Sequence, residues 1–96
     1  MLTTKQKQFL RAKAHNLKPV VIIGAAGLTD NVVTEVEHSI EHHELIKIKI
    51  NANDRNHRQQ MVAKLGDAIQ CECITTIGHI AVLYRPAKKS KLDIPS

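Results

Sequence analysis

The stretch Lys18-Pro19-Val20-Val21-Ile22-Ile23-Gly24-Ala25-Ala26-Gly27-Leu28-Thr29-Asp30 constrains the fold most: an apolar run meets a glycine-framed loop and then a helix start. Residues 20–23 form a continuous β-branched run, which predicts a strand buried on both faces. Pro19 stands at its first position, where a missing N–H does least harm. Gly24 and Gly27 keep side chains away from anything that approaches the loop backbone. Thr29 or Asp30 can cap the following helix, leaving its first N–H groups and the positive end of its dipole, roughly half a charge, beside the loop. Strand, Gly-x-x-Gly and helix start together suit a phosphate, although the same pattern also serves as a plain tight connection.

With 96 residues, of which 43% are hydrophobic, the chain can bury one modest core. We expect a single domain over residues 1–86 and a basic, mobile tail over 87–96, where apolar content is too low to pack firmly. A net charge of +5 points to a polyanion as partner. No apolar run approaches the roughly 20 residues of a membrane span, and charges stand where a signal peptide would be apolar, so a soluble cytoplasmic protein is expected. Cys71 and Cys73 are one residue apart on an expected strand, a poor geometry for a bridge, and read as free thiols.

Charge is unevenly placed. Lys5, Lys7, Arg11, Lys13 and Lys18 precede Pro19 with no acid among them, and Arg85, Lys88, Lys89 and Lys91 follow Tyr84 against Asp93 alone. Asp30, Glu35, Glu37, Glu41 and Glu44 make the segment between them acidic.

Along the chain, Thr3 and Gln6 form a capping-box pattern that opens a helix carrying Phe9, Leu10, Ala12 and Ala14. Its lysines and Arg11 suit solvent as well as a polyanion. Val33, Val36 and Ile40 recur at helical spacing between Asp30 and His43. Leu45-Ile46-Lys47-Ile48-Lys49-Ile50 alternates as a strand, with the isoleucines inward and two lysines on an open face or an edge. Met61, Val62, Leu65 and Ile69 continue one helical phase across Gly66 from Arg55, although a break at that glycine is the alternative. Residues 71–77 and 80–85 read as an antiparallel hairpin around Gly78-His79. The order α-β-α-β-α-β-β predicts a two-layer α/β domain with a four-stranded mixed sheet and three helices.

The chemistry of catalysis is missing. Ser39, Ser90 and Ser96 lie in no nucleophile-elbow context, and the glycine loop lacks the endings of a P-loop or a dinucleotide fingerprint. His38 and His42, four apart, lack companion ligands, so no metal, cofactor or small-molecule substrate is expected. Phe9 and Tyr84 are the only aromatic rings of the FWY class, too few for base-stacking platforms, which leaves recognition by shape and backbone.

Three segments together resemble a known family: residues 18–29, the run Glu41-His-His-Glu-Leu-Ile-Lys-Ile-Lys-Ile50, and Ile77-Gly-His-Ile-Ala-Val-Leu-Tyr-Arg-Pro86. They look like the CRM domain, the chloroplast RNA splicing and ribosome maturation module, in its small stand-alone bacterial form, the YhbY type. The resemblance implies a fold similar to the C-terminal domain of translation initiation factor three, and RNA binding. For the bacterial form it further implies association with precursors of the large ribosomal subunit, and we expect a monomer. Gly24 and Gly27 match the family's loop glycines, and Lys18, Lys47, Lys49 and Arg85 match basic positions near the loop in the sequence pattern. Where the family often has a basic or polar residue inside the loop, this chain has Ala25 and Ala26, which shifts the charge requirement to flanking residues. Gln70 stands where the family commonly has a helix-ending glycine. The expected RNA site is therefore Gly24, Ala25, Ala26 and Gly27 with Lys18, Lys5, Lys7, Arg11, Lys47, Lys49 and Arg85. A protein-interaction module docking a basic ribosomal protein or factor through the acidic helix is the competing expectation.

Overall fold

The computed structural model describes residues 2–86 and residue 94. Its elements are α1 (Thr4–Ala14), β1 (Pro19–Ile23), α2 (Asp30–His43), β2 (Leu45–Ile50), α3 (Arg55–Ile69), β3 (Glu72–Ile77) and β4 (Ile80–Tyr84). The expected order of three helices and four strands is present. The strands form one mixed sheet in the order β1-β2-β4-β3, with β1 and β2 parallel and both β4 pairings antiparallel.

Alternation along β2 and β4 divides the apolar residues between the two sheet faces. Ile46, Ile48 and Ile50 join Val21, Ile23, Ala81 and Leu83 on one face, under Val36 and Ile40 of α2 and Met61, Val62, Leu65 and Ile69 of α3. Leu45, Val82 and Tyr84 point the other way and receive Leu10 and Ala14 of α1. The sheet thus carries α2 and α3 as one layer and α1 across part of its opposite face. An 11-residue helix is marginal alone, so α1 depends on this contact and on its reciprocal cap. In that cap the Thr3 N–H donates to Gln6 Oε1 at 2.9 Å and the Gln6 N–H to Thr3 Oγ1 at 3.1 Å, worth about 1 kcal/mol.

One strand expectation needs correction. β1 is not buried on both faces: Val21 and Ile23 are inside, but Val20 and Ile22 are 45% and 61% exposed. β1 is an edge strand, and α1 contacts β2 and β3 on that side rather than covering β1. Of the two places expected for the β2 lysines, the sheet face is the one found, because β1 and β4 flank β2 and leave it no edge.

Gly66 lies inside α3 as expected. A Cβ there would come within 3.3 Å of the Cys71 carbonyl, so the glycine lets the chain fold back tightly after the helix. Gln70 takes the left-handed cap conformation itself, at φ 55 and ψ 51, and its side-chain amide donates to the Asp67 carbonyl at 2.8 Å. Of the predicted mobile tail, only Ile94 is described, half-buried against the α1 cluster; the remainder of that expectation lies outside the described residues.

Candidate nucleic-acid interface

The strand directions bring the C-terminal ends of β1, β2 and β3 and the start of β4 to one end of the sheet. Loop 24–27, loop 51–54 and the turn at 78–79 therefore meet there, together with the N-termini of α2 and α3. Short bonds lace them together. The Asn51 N–H donates to the Ile23 carbonyl at 2.9 Å and the Ile50 N–H to the His79 carbonyl at 2.8 Å.

Within loop 24–27 the Gly27 N–H closes a turn onto the Gly24 carbonyl at 3.0 Å, which leaves the Ala25 and Ala26 N–H groups outside that bond. Gly24, Ala25 and Ala26 are exposed. The two glycines serve different ends. Gly27 sits at φ +75, in the left-handed region, whereas Gly24 has no such conformation and open space where a Cβ would stand. Thr29 caps α2, its Oγ1 accepting from the Val32 N–H at 3.2 Å. An anion above the loop would thus face the positive end of α2's dipole as well as free loop amides.

The basic residues expected from sequence do not form one patch. Lys49, exposed and paired across the ladder with Ile22 and Ile80, lies close to the loop end. Arg11 lies beside Lys47 in a cavity of about 210 Å³ between α1 and the hairpin. Lys47 is committed inside the fold, its Nζ donating to the Leu17 carbonyl at 3.0 Å and lying 3.5 Å from that of His15. Lys18 lines a second cavity at the start of β1, with Lys13, Val20, His43 and Lys47. Arg85 follows β4 at the opposite end of the sheet from the loop. Its Nη1 donates to the Ile69 carbonyl at 2.9 Å and lies 3.7 Å from Glu37 Oε1, so it ties α2, α3 and β4 together. Lys5 and Lys7 are exposed on the first half of α1, whose start faces that same far end through Leu2 and Gln6.

The loop end carries basic residues that the sequence patterns did not single out. Arg55 begins α3, His57 and Arg58 follow, and His79 occupies the hairpin turn. Arg58 Nη1 donates to the Ala52 carbonyl at 2.7 Å, which holds the guanidinium at the base of loop 51–54. Only the topology brings α3's start beside loop 24–27; the signal available was that both follow parallel strands.

The thiols are chemically quiet. Burial, and then the neighbouring Cys73, push the Cys71 thiol up to about 11, and burial likewise raises Cys73. Neither is the low-pKa thiolate that nucleophilic chemistry needs. The His38 and His42 rings stack at 4.5 Å between centroids, and no group of three or more metal-ligating side chains occurs among the described residues. Nor is any helix among them long and apolar enough to cross a membrane.

Comparison with known proteins adds four findings. The family described as CRS1 / YhbY (CRM) domain matches residues 2–85. A Haemophilus influenzae protein named RNA-binding protein is 46% identical over 98% of this chain and 95% of its own length. The Bacillus subtilis protein named Probable RNA-binding protein YqeI is 35% identical over 99% of this chain and 100% of its own. Among solved structures, the solution structure of a Staphylococcus aureus protein described as an RNA-binding candidate superposes with a TM-score of 0.86 at 33% identity. It covers 99% of this chain and 100% of that one.

Proposed function

The chain belongs to the CRS1 / YhbY (CRM) domain family, and on that premise we propose that it is a non-catalytic RNA-binding protein that holds ribosomal RNA during assembly of the large ribosomal subunit. The observation that carries the reading is the meeting, at one end of the sheet, of the exposed glycine loop, the start of α2 and the basic start of α3. The RNA-binding names of relatives that span nearly the whole chain support it.

In this reading the phosphate backbone lies along loop 24–27. Ala25 and Ala26 bring no charge, so their N–H groups and the α2 dipole hold the phosphate while Lys49, Arg55 and Arg58 supply the field. The RNA contact is centred on the loop end, and Arg85 and Lys47 act mainly by holding the fold that presents it. The acidic-helix alternative loses one of its charges to an internal pair, since Glu37 faces Arg85.

The test is gradient sedimentation of a cell lysate at low and raised salt, with wild type beside Gly24→Asp. Wild type should travel with immature large-subunit particles and be released by salt, with a log–log affinity slope of roughly 0.7 to 0.9 per phosphate neutralised. Gly24→Asp should stay at the top of the gradient while its circular dichroism remains that of a folded protein. Wild type failing to enter ribosomal fractions at low salt would remove the ribosomal role. Unchanged association of a folded Gly24→Asp would remove the loop from the interface.

A further inference from the structure

A second concavity opens at the loop end, distinct from loop 24–27. It measures about 290 Å³ and lies between the first turns of α3 and the hairpin turn at 78–79. This is close to the lower bound, about 300 Å³, of pockets that take small ligands. Its floor is apolar, made by the buried Ile50, Val62 and Ala81. Its rim is polar and cationic: Arg55, Arg58 and Gln59 from α3 face Thr76 and His79 from the hairpin.

That division of character selects the ligand. A simple anion site has no use for an apolar floor, and an apolar ligand would not be met by two guanidinium groups. A flat aromatic base with a phosphate attached uses both. The rim is also held in place. His79 Nδ1 lies 2.8 Å from the Ile50 carbonyl, which can only accept, so the bond assigns the hydrogen to Nδ1 and leaves Nε2 as the ring's remaining nitrogen for a partner. Arg58 spends one N–H on the Ala52 carbonyl and keeps the others. The Gln59 amide and Thr76 hydroxyl can each donate and accept, as an unpaired base edge requires.

We infer that this cavity takes a single unstacked nucleotide of the bound RNA, its base over the Ile50, Val62 and Ala81 floor and its phosphate toward Arg55 and Arg58. The inference rests on the RNA-binding reading and adds to it a point of base preference, supplied without aromatic platforms.

The experiment is an amide NMR titration of the full chain with each of the four ribonucleoside 5′-monophosphates, and with ribose 5-phosphate as the base-free probe. At least one nucleotide should shift the Gln59, Thr76, Gly78 and His79 amides at millimolar concentration, and ribose 5-phosphate should not. Arg55→Ala combined with Gln59→Ala, both exposed positions, should weaken that binding by about fivefold or more, the scale of losing one base contact. Equal shifts from ribose 5-phosphate would reduce the cavity to an anion contact and overturn the inference. Amides unmoved by all four nucleotides would overturn it too. If the wild type binds ribosomal RNA in the same preparation, that second result sinks the cavity alone and leaves the loop reading standing.

Discussion

The two loop glycines should respond oppositely to alanine, and the structure sets the sizes. Gly27 sits at φ +75, and a Cβ there would meet Met61 Cε at 3.7 Å, an ordinary contact that adds no clash. Its cost is therefore conformational: about 1 to 2 kcal/mol for placing an L-residue in the left-handed region. Restricting the unfolded chain returns about 0.4 to 1 kcal/mol, so Gly27→Ala should be destabilised by about 1 kcal/mol net. For a domain of this size that lowers Tm by about 4 to 8 °C. Gly24 has neither a positive φ nor a neighbour within 4 Å of the new Cβ. Gly24→Ala should keep or slightly raise stability, because only the unfolded-state contribution remains. The assay is urea unfolding followed by circular dichroism, with both variants and wild type at equal m-value. The reasoning fails if Gly27→Ala unfolds at the wild-type midpoint, or if Gly24→Ala is the less stable of the two. A stable Gly24→Ala that binds RNA weakly would then report on how closely the RNA approaches, free of any folding defect.

Two further expectations concern residues away from the loop. Arg85→Met removes the bond to the Ile69 carbonyl and the pair with Glu37, and should cost about 1.5 to 3 kcal/mol in urea unfolding while changing RNA affinity less than about twofold. A tenfold loss of affinity in a folded Arg85→Met would return Arg85 to the interface. Cys71 titrates near 9.0 when unfolded but near 11 in the fold, so between those values the unfolded chain has lost a proton that the folded chain still holds. Stability should therefore fall as pH rises from about 9 to about 11 and be indifferent to this group below that window. Unfolding curves of wild type and Cys71→Ser at pH 8, 9 and 10 isolate the effect, and parallel curves would refute it.

Local chemistry was legible where one segment decides the outcome. The Thr3–Gln6 box, the bounds of α2 and α3, and the inward isoleucines of β2 all follow from neighbours in sequence. The misreadings concern what lies across the sheet. A β-branched run such as residues 20–23 looks the same whether or not a helix covers its second face, and α1 does not cover β1. LIKIKI leaves open face and edge undecided, because it does not announce that β4 will pair beside it. The site was half legible for the same reason. The loop is a contiguous motif, but Arg55 and Arg58 reach it only through the parallel β1–β2 pairing, and the order of residues does not show that Arg85 stands at the far end of the sheet. Gln70 shows the converse, a backbone shape kept without the residue usually chosen for it.

The place of β4 in the sheet bears on how the protein is made. It is the last of the described strands to leave the ribosome, yet it lies between β2 and β3, so Leu45 waits for Tyr84 and Ile77 for Ile80. A nascent chain that has emerged only as far as Ile77 presents two unfilled strand edges and an incomplete apolar layer, the exposure that invites mispairing with other chains. Residues 80–84 act as a keystone set after the other three strands, and the loop end, whose His79 carbonyl accepts from the Ile50 N–H, is completed only when that keystone is in place.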